Sequence, residues 1–188
     1  KPPGLDEDPA WYARRLQAEV AALRALKHDN IVGFHHAAVQ DGQLYIEMEL
    51  VDGPSLGRLL RDRVAPLPPA ALIQLALQLC AGLDAAHDPD AGVSIIHRDF
   101  KPDNVLLSRH GVAKISDFGL AKVATGGTAS MSLVVGTACY IAPEQLQEGG
   151  TVSARSDLFA LGIVLAEAAT GEGLFPRDKV DAMYVIRR

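Results

Sequence analysis

The eight residues His97-Arg98-Asp99-Phe100-Lys101-Pro102-Asp103-Asn104 put two acids, two strong bases and an amide into one polar stretch. Carboxylates at that density can take protons, and carboxylate and amide oxygens are suited to hard cations. Short apolar runs, Val93 to Ile96 before it and Val105 to Leu107 after it, bracket the stretch. The loop is therefore expected to be rigid and its charges to face a ligand. A further acid, Asp117, stands in Asp117-Phe118-Gly119. Singly, Asn104 or Asp103 reads as a solvated loop residue or a helix cap, so any chemistry lies in the combination.

The elements that must position these residues are legible as periodicities. Asp8-Pro9 offers a helix start, and Tyr12, Leu16, Val20, Leu23 and Leu26 recur at helical spacing to about Lys27. Glu19 lies on that apolar face, where it either finds a cation or reaches solvent at the helix edge. Ile31 to Phe34 and Leu44 to Leu50 read as two strands joined by an Asp41-Gly42 turn. In the second, Leu44, Ile46, Met48 and Leu50 alternate with Tyr45, Glu47 and Glu49, as one covered face requires. Val51-Asp52-Gly53-Pro54 breaks the pattern and reads as a hinge between a sheet-bearing part and a mostly helical part. After Pro68-Pro69, the residues Leu72, Leu75, Ala76, Leu79, Leu83 and Ala86 predict a long amphipathic helix ending near His87, which delivers the polar loop.

Beyond the loop, Val105 to Leu107, a turn at His110-Gly111 and Val112 to Ile115 predict a second hairpin, which delivers Asp117. The Gly-, Ser- and Thr-rich run from Thr125 to Ser132 has no periodicity and reads as a surface loop. Asp157 is expected to open a helix to about Ala169, apolar nearly all round and so central to a core. There are no internal repeats.

Composition narrows the options. A chain of 188 residues, 48% hydrophobic and 22% charged, is ordinary globular material. A net charge of -5 gives no general attraction to nucleic acid or to an anionic membrane. Cys80 and Cys139 form no metal-spaced set, which fits a reducing, cytoplasmic setting. The most apolar window, Leu158 to Ala169, is too short to span a bilayer, so no membrane segment is expected in this chain. The chain opens on Lys1 rather than Met, and residues 182–188 stop inside a helical pattern. The expectation is a fragment of a longer protein.

Together, His97-Arg98-Asp99 with Lys101 and Asn104, Asp117-Phe118-Gly119, and Ala142-Pro143-Glu144 resemble the signature set of protein kinases in both order and spacing. The first motif alone is a chance event on the order of one in a million per start position. The resemblance covers essentially the whole chain, including the Glu19 helix, His28 to Val32 and Ser156 to Gly162. It is nearest to the eukaryotic-type serine/threonine kinases of bacteria.

That resemblance implies an α+β, bilobal kinase-like fold in truncated form. Residues 1–51 would be a partial N-lobe, from the end of the third strand through one helix and two further strands. Residues 52–188 would be a mostly helical C-lobe that stops after the central helix. It implies transfer of the ATP γ-phosphate, with Mg2+, to Ser or Thr of a protein substrate. Such a reaction needs positioning and charge neutralisation more than covalent work.

In this resemblance Asp99 accepts the acceptor hydroxyl's proton, Lys101 reaches the transferred phosphate, and Asn104 and Asp117 hold the metal. Thr137 would bond Asp99 and Lys101. Met48 would be the gatekeeper, Glu49 and Val51 would offer backbone groups to adenine, and Leu106 would lie beneath its ring; a plain strand-core role for Met48 fits the pattern equally. Leu23, Phe34, His97 and Phe118 would stack in a column, and Asp157 would hold the catalytic-loop backbone. Arg98 implies control by phosphorylation of the segment from Asp117 to Glu144, with Ser130 and Ser132 ahead of Thr125 and Thr128.

The departures carry equal weight. No Gly-x-Gly-x-x-Gly occurs, so the loop that covers the nucleotide phosphates is missing, and residues 1–188 alone are expected to be nearly inactive. Lys1 stands 18 residues before Glu19, which makes it a good candidate for the phosphate-binding lysine, with an ordinary terminal lysine as the other reading. The arginine that would pair with Glu144 is absent, which would strand a buried carboxylate. Two other readings follow from the same residues. A pseudokinase scaffold should have lost Asp99, Asn104 or Asp117, and all three are present. A small-molecule phosphotransferase of related fold should lack the Ala142-Pro143-Glu144 segment.

Overall fold

The computed structural model describes residues 20–40, 43–62, 65–88, 90, 94–118, 138–147 and 149–175. Residues 20–25 are helical and bury Leu23, with Leu26 buried just past the helical end, two residues short of the expected Lys27. The start of that helix, with Glu19, lies outside the described residues.

Strand β1 (Phe34–Gln40) pairs antiparallel with β2 (Gln43–Met48), in register Gln40↔Gln43 across the expected turn position. The first strand therefore begins at Phe34, where the sequence pattern placed its end. The reason is non-local. The backbone around Ile31 is taken up by Ile115: Val32 N–H donates to Ile115 O (2.9 Å) and Ile115 N–H to Asn30 O (2.9 Å). The expected covered face of β2 is also only partly realised. Tyr45 and Glu47 do point outward and Ile46 is half-buried, but Met48 is 38% exposed and Leu50, past the strand end, is 91% exposed. Alternation sets direction, whereas burial needs a partner layer over that face.

The link after β2 is stitched down rather than hinged. Arg109 N–H donates to Asp52 O (3.0 Å) and Leu107 N–H to Pro54 O (2.9 Å). A Cβ on Gly53 would sit 1.8 Å from the Leu107 carbonyl oxygen, so only glycine permits this approach. Helix α1 (Leu56–Asp62), which periodicity did not suggest, follows at once. Its cap is Ser55, whose Oγ accepts from Arg58 N–H (3.2 Å), and its anchor is the fully buried Leu56.

Helix α2 (Pro69–His87) forms as the spacing predicts, with proline at its first turn and Leu75, Leu79, Leu83 and Ala86 buried, and it packs on the helix Ala154–Thr170 and the strand Ala113–Ile115. At 19 residues and mean hydropathy 1.4, it is long and apolar enough to cross a membrane by length and composition alone, a test that core helices also pass. Asn30 ties α2 to the second hairpin: its Nδ2 donates to Gln78 Oε1 (3.0 Å) and Ala113 O (2.9 Å).

That hairpin, β3 (Val105–Leu107) and β4 (Ala113–Ile115), is antiparallel as expected and turns through Gly111 at φ 79°. Helix α3 (Ala154–Thr170) starts three residues before Asp157, because Ser153 and Ser156 cap it reciprocally. It ends at Gly171, φ 76°, whose N–H closes on Glu167 O (2.8 Å). One face, with Asp157, Ala160, Leu161, Val164 and Ala168, is buried, while Leu158 is 52% exposed, so α3 is not buried all round. The core joins Leu56, Leu79, Leu83, Phe100, Val105, Ile115 and Val164. Among the described residues, two small sheets and a helical body make the expected α+β fold.

Candidate active site

Asp157, at 1% exposure, is the fixed point of the polar loop. Its Oδ2 accepts from His97 N–H (2.8 Å) and its Oδ1 from Arg98 N–H (2.9 Å). A third donor, which the sequence did not suggest, is His87 Nε2, 2.7 Å from Oδ2. A buried carboxylate is tolerable only when satisfied in this way. The expected role of Asp157 is realised, and the end of α2 supports it.

His97 is 2% exposed, and its Nε2 donates to Ser116 O (2.8 Å). Since a carbonyl only accepts, the Nδ1 is left as an acceptor, and Asp99 N–H lies 3.3 Å from it. Burial pushes the His97 pKa down, against the opposing pull of Asp157, the Ser116 carbonyl, Asp99 and Asp117. The ring therefore stays neutral and acts as a strut. It packs on Phe118 (centroids 4.7 Å apart) and edge-on to Phe100 (5.6 Å).

Between these supports Arg98 takes φ 69°, a left-handed conformation costly for a side-chain-bearing residue. Its carbonyl accepts from Gln145 Nε2 (2.9 Å), while the guanidinium end is exposed. The twist turns Asp99 outward. Asp99 Oδ2 then meets Lys101 Nζ at 2.7 Å, and Asn104 Nδ2 donates to Asp99 O (2.8 Å). The Asn104 Nδ2 is thereby committed to Asp99, with Asp99 Oδ2 also 3.4 Å from it.

Asp117 is joined to this group through Ser116. The Ser116 N–H donates to Asn104 O (2.9 Å), and its Oγ lies 3.2 Å from Asn104 O and 3.1 Å from Asp117 Oδ2. Asp117 is exposed and also left-handed, at φ 63°. Among the described residues no three His, Cys, Asp or Glu side chains converge. One carboxylate and one amide oxygen fit a magnesium ion that keeps several waters, rather than a closed protein cage.

Beside this group an open cleft is lined by Leu23, Ile31, Phe34, Met48, Asp117 and Phe118, among others. Leu23, Phe34 and Phe118 thus share one cavity and His97 stacks behind Phe118, which realises the expected column. Met48 sits in the cleft wall rather than in closed core. Glu49 has its N–H committed to Gly33 O (2.7 Å), so only its carbonyl remains for a ligand, whereas Val51 O accepts from Gly53 N–H (3.0 Å). Leu106, half-buried in β3, bridges to Ser55 in the link that carries Val51.

The Glu49 side chain spans two segments, accepting from Gly33 N–H (3.0 Å) and Lys114 Nζ (3.0 Å). Burial raises its pKa, but those two donors, with His35, outweigh burial and hold it below the ordinary value.

Glu144 is not stranded. It is half-buried, and Ser156 Oγ donates to its Oε1 at 2.5 Å, so the carboxylate has a hydrogen-bond donor. Tyr140 OH donates to the buried Glu167 (2.5 Å), tying residues 138–140 to α3. Ser116 and Gln145 carried no sequence signal of their own, while His87 showed only as a helix end and Ser156 only as the start of the Ser156 to Gly162 match. Lys1, Glu19, Ser130, Ser132 and Thr137 lie outside the described residues.

A polar loop anchored on a buried aspartate, with a second acid delivered by a hairpin beside an apolar cleft, is the arrangement of a phosphotransferase site. The sequence model of the family described as Protein kinase domain matches residues 5–188, and the chain belongs to that family. Among its relatives, serine/threonine-protein kinase PknD of Mycobacterium tuberculosis is 36% identical over 177 residues, 94% of this chain and 26% of that protein. PknB of Mycobacterium leprae is 39% identical over 93% of this chain and 28% of its own length. A probable PknB of Lactococcus lactis is 36% identical over 90% of this chain and 26% of its own length. The chain spans about a quarter of the length of these curated relatives.

Proposed function

We infer that the protein carrying this chain transfers the γ-phosphate of ATP to Ser or Thr hydroxyls of protein substrates. The observation that carries this reading is the threefold hold of Asp157 on His97, Arg98 and His87, which presents Asp99 outward beside Lys101 and Asn104. Asp99 orients the acceptor hydroxyl and takes its proton as the phosphate bond forms. Lys101, 2.7 Å from Asp99, lies where it can also pair the transferred phosphate. Asn104 and Asp117 would hold Mg2+, which when bound neutralises charge on the nucleotide phosphates. The cleft beside Met48 takes the adenine end, with the Glu49 carbonyl, the Val51 backbone and Leu106 as its contacts.

Lys1 and Glu19 are assigned to the α- and β-phosphates, and Thr137 to Asp99 and Lys101. Arg98 is assigned to a phosphate on Ser130 or Ser132, since its guanidinium is exposed and no acid among the described residues pairs with it. Residues 1–51 and 52–188 then form the two lobes, and the setting is cytoplasmic. The names of the relatives and the Asp117-to-Glu144 motif order support protein rather than small-molecule acceptors. The test is transfer of labelled phosphate by the full-length protein, with Asp99→Asn and Asp117→Ala as controls. Loss in both controls is expected; equal rates in controls and parent would overturn the assignment.

A further inference from the structure

The polar loop is held from two sides, and Asp157 accounts for only one. Asp157 takes the N–H groups of His97 and Arg98, but the Arg98 carbonyl, which belongs to the peptide leading into Asp99, is held by another residue. Gln145 Nε2 donates to it at 2.9 Å. The same side chain is gripped at its other end: Gln145 Oε1 accepts from Ala142 N–H (3.1 Å), and Gln145 N–H returns a bond to Ala142 O (2.9 Å). Both partners fix the amide orientation, because a carbonyl can only accept and a backbone N–H can only donate. Gln145 is thus a two-ended clamp between the Ala142-Pro143-Glu144 segment and the catalytic loop. It lines a small cleft with Arg98, Asp99, Tyr140 and Asp157.

We propose that Gln145 is a positioning residue for Asp99. Its clamp holds the left-handed Arg98 peptide in the orientation that aims the Asp99 carboxylate outward. The conformation at Arg98 (φ 69°) is unfavourable for a residue with a Cβ and persists only where surrounding bonds over-determine it. Asp157 restrains the N–H side of the Arg98 residue and Gln145 the carbonyl side. Removal of the second restraint leaves that peptide held only by the longer bond from Asp99 N–H to His97 Nδ1 (3.3 Å), so it can rotate while the buried anchor stays intact. Asp99 then samples orientations in which its oxygen no longer meets Lys101 and the acceptor hydroxyl. Because the other end of the clamp is Ala142, the position of the segment before Glu144 is read directly into Asp99.

This inference rests on the kinase reading, and its test separates the two. In the full-length protein, Gln145→Met keeps the length of the side chain without either polar end, and Gln145→Glu keeps the acceptor for Ala142 while placing an oxygen against the Arg98 carbonyl. Both variants are expected to lose tenfold to a hundredfold in kcat, with KM for ATP within about twofold and the melting midpoint nearly unchanged. Amide exchange in a peptide covering residues 97–104 should quicken severalfold in both, with α2 unchanged, and this readout does not depend on activity. Wild-type kcat together with wild-type exchange in the loop would overturn the clamp, as would a loss of kcat matched by a proportionate fall in folded fraction. Quickened exchange in the two variants, with a parent that transfers no phosphate, would uphold the clamp and overturn the kinase reading.

Discussion

His87 Nε2 sits 2.7 Å from Asp157 Oδ2, so the last residue of α2 and a buried carboxylate of α3 meet directly behind the polar loop. Two long helices that pack through Leu79, Leu83 and Val164 also share the acid that fixes His97 and Arg98.

Asp157→Ala removes an acceptor from three donors at once and leaves two backbone N–H groups without their partner. We expect a loss of about 3–5 kcal/mol in unfolding free energy, the scale for breaking a buried charged network by removing one member. Urea unfolding measures it; a loss below about 1 kcal/mol would mean that water replaces the carboxylate.

The depressed His97 pKa makes stability depend on pH. In the unfolded chain the ring titrates near 6.5, whereas in the folded protein burial lowers that value. Below about 6.5 the unfolded state binds a proton that the folded state refuses, so stability falls as pH drops until the folded pKa is reached. Above 6.5 both states are neutral and this contribution is constant. Urea midpoints for the parent should therefore fall between pH 7.5 and pH 5.5. In His97→Phe that part of the slope should vanish, although the variant is less stable throughout, because Ser116 O loses its donor.

Gly53→Ala places a Cβ 1.8 Å from Leu107 O, and backbone cannot yield as a side-chain tip can. The link must lift from β3, which threatens the bonds from Leu107 N–H and Arg109 N–H. A cost of about 1–3 kcal/mol is expected from such overpacking, measured by thermal or urea unfolding. Gly111→Ala, where a Cβ meets nothing within 4 Å, should cost less and arise from its φ of 79° alone.

Nucleotide affinity tests the weight of the missing glycine motif. Residues 1–188 contain no Gly-x-Gly-x-x-Gly, and isothermal titration with MgATP should give binding weaker than the micromolar range. Asp117→Ala should weaken it further and remove the response to magnesium. Micromolar binding by the parent chain would show that the cleft beside Met48 suffices without such a loop.

Much of the site was legible because its chemistry is local. Asp99, Lys101, Asn104 and Asp117 stand in two short segments between apolar runs, and the α2 and hairpin periodicities that deliver them were correctly read. Helix α1 was missed although Ser55 and Leu56 mark its start, since seven residues are too few for a convincing period. The first strand was misplaced because Ile31 satisfies its neighbouring backbone on Ile115, far along the chain.

By itself, the sequence determined which residues could do chemistry, their order along the chain, and the helix and hairpin that carry them, since periodicity and motif spacing are properties of neighbours. Only the tertiary structure decided how those residues are aimed. Asp157 reaches His97 across 60 residues, Gln145 reaches Arg98 across 47, and His87 reaches Asp157 across 70. The left-handed turn at Arg98 exists because these distant donors and acceptors together outweigh its local cost, and no short-range pattern encodes a strain that remote bonds maintain.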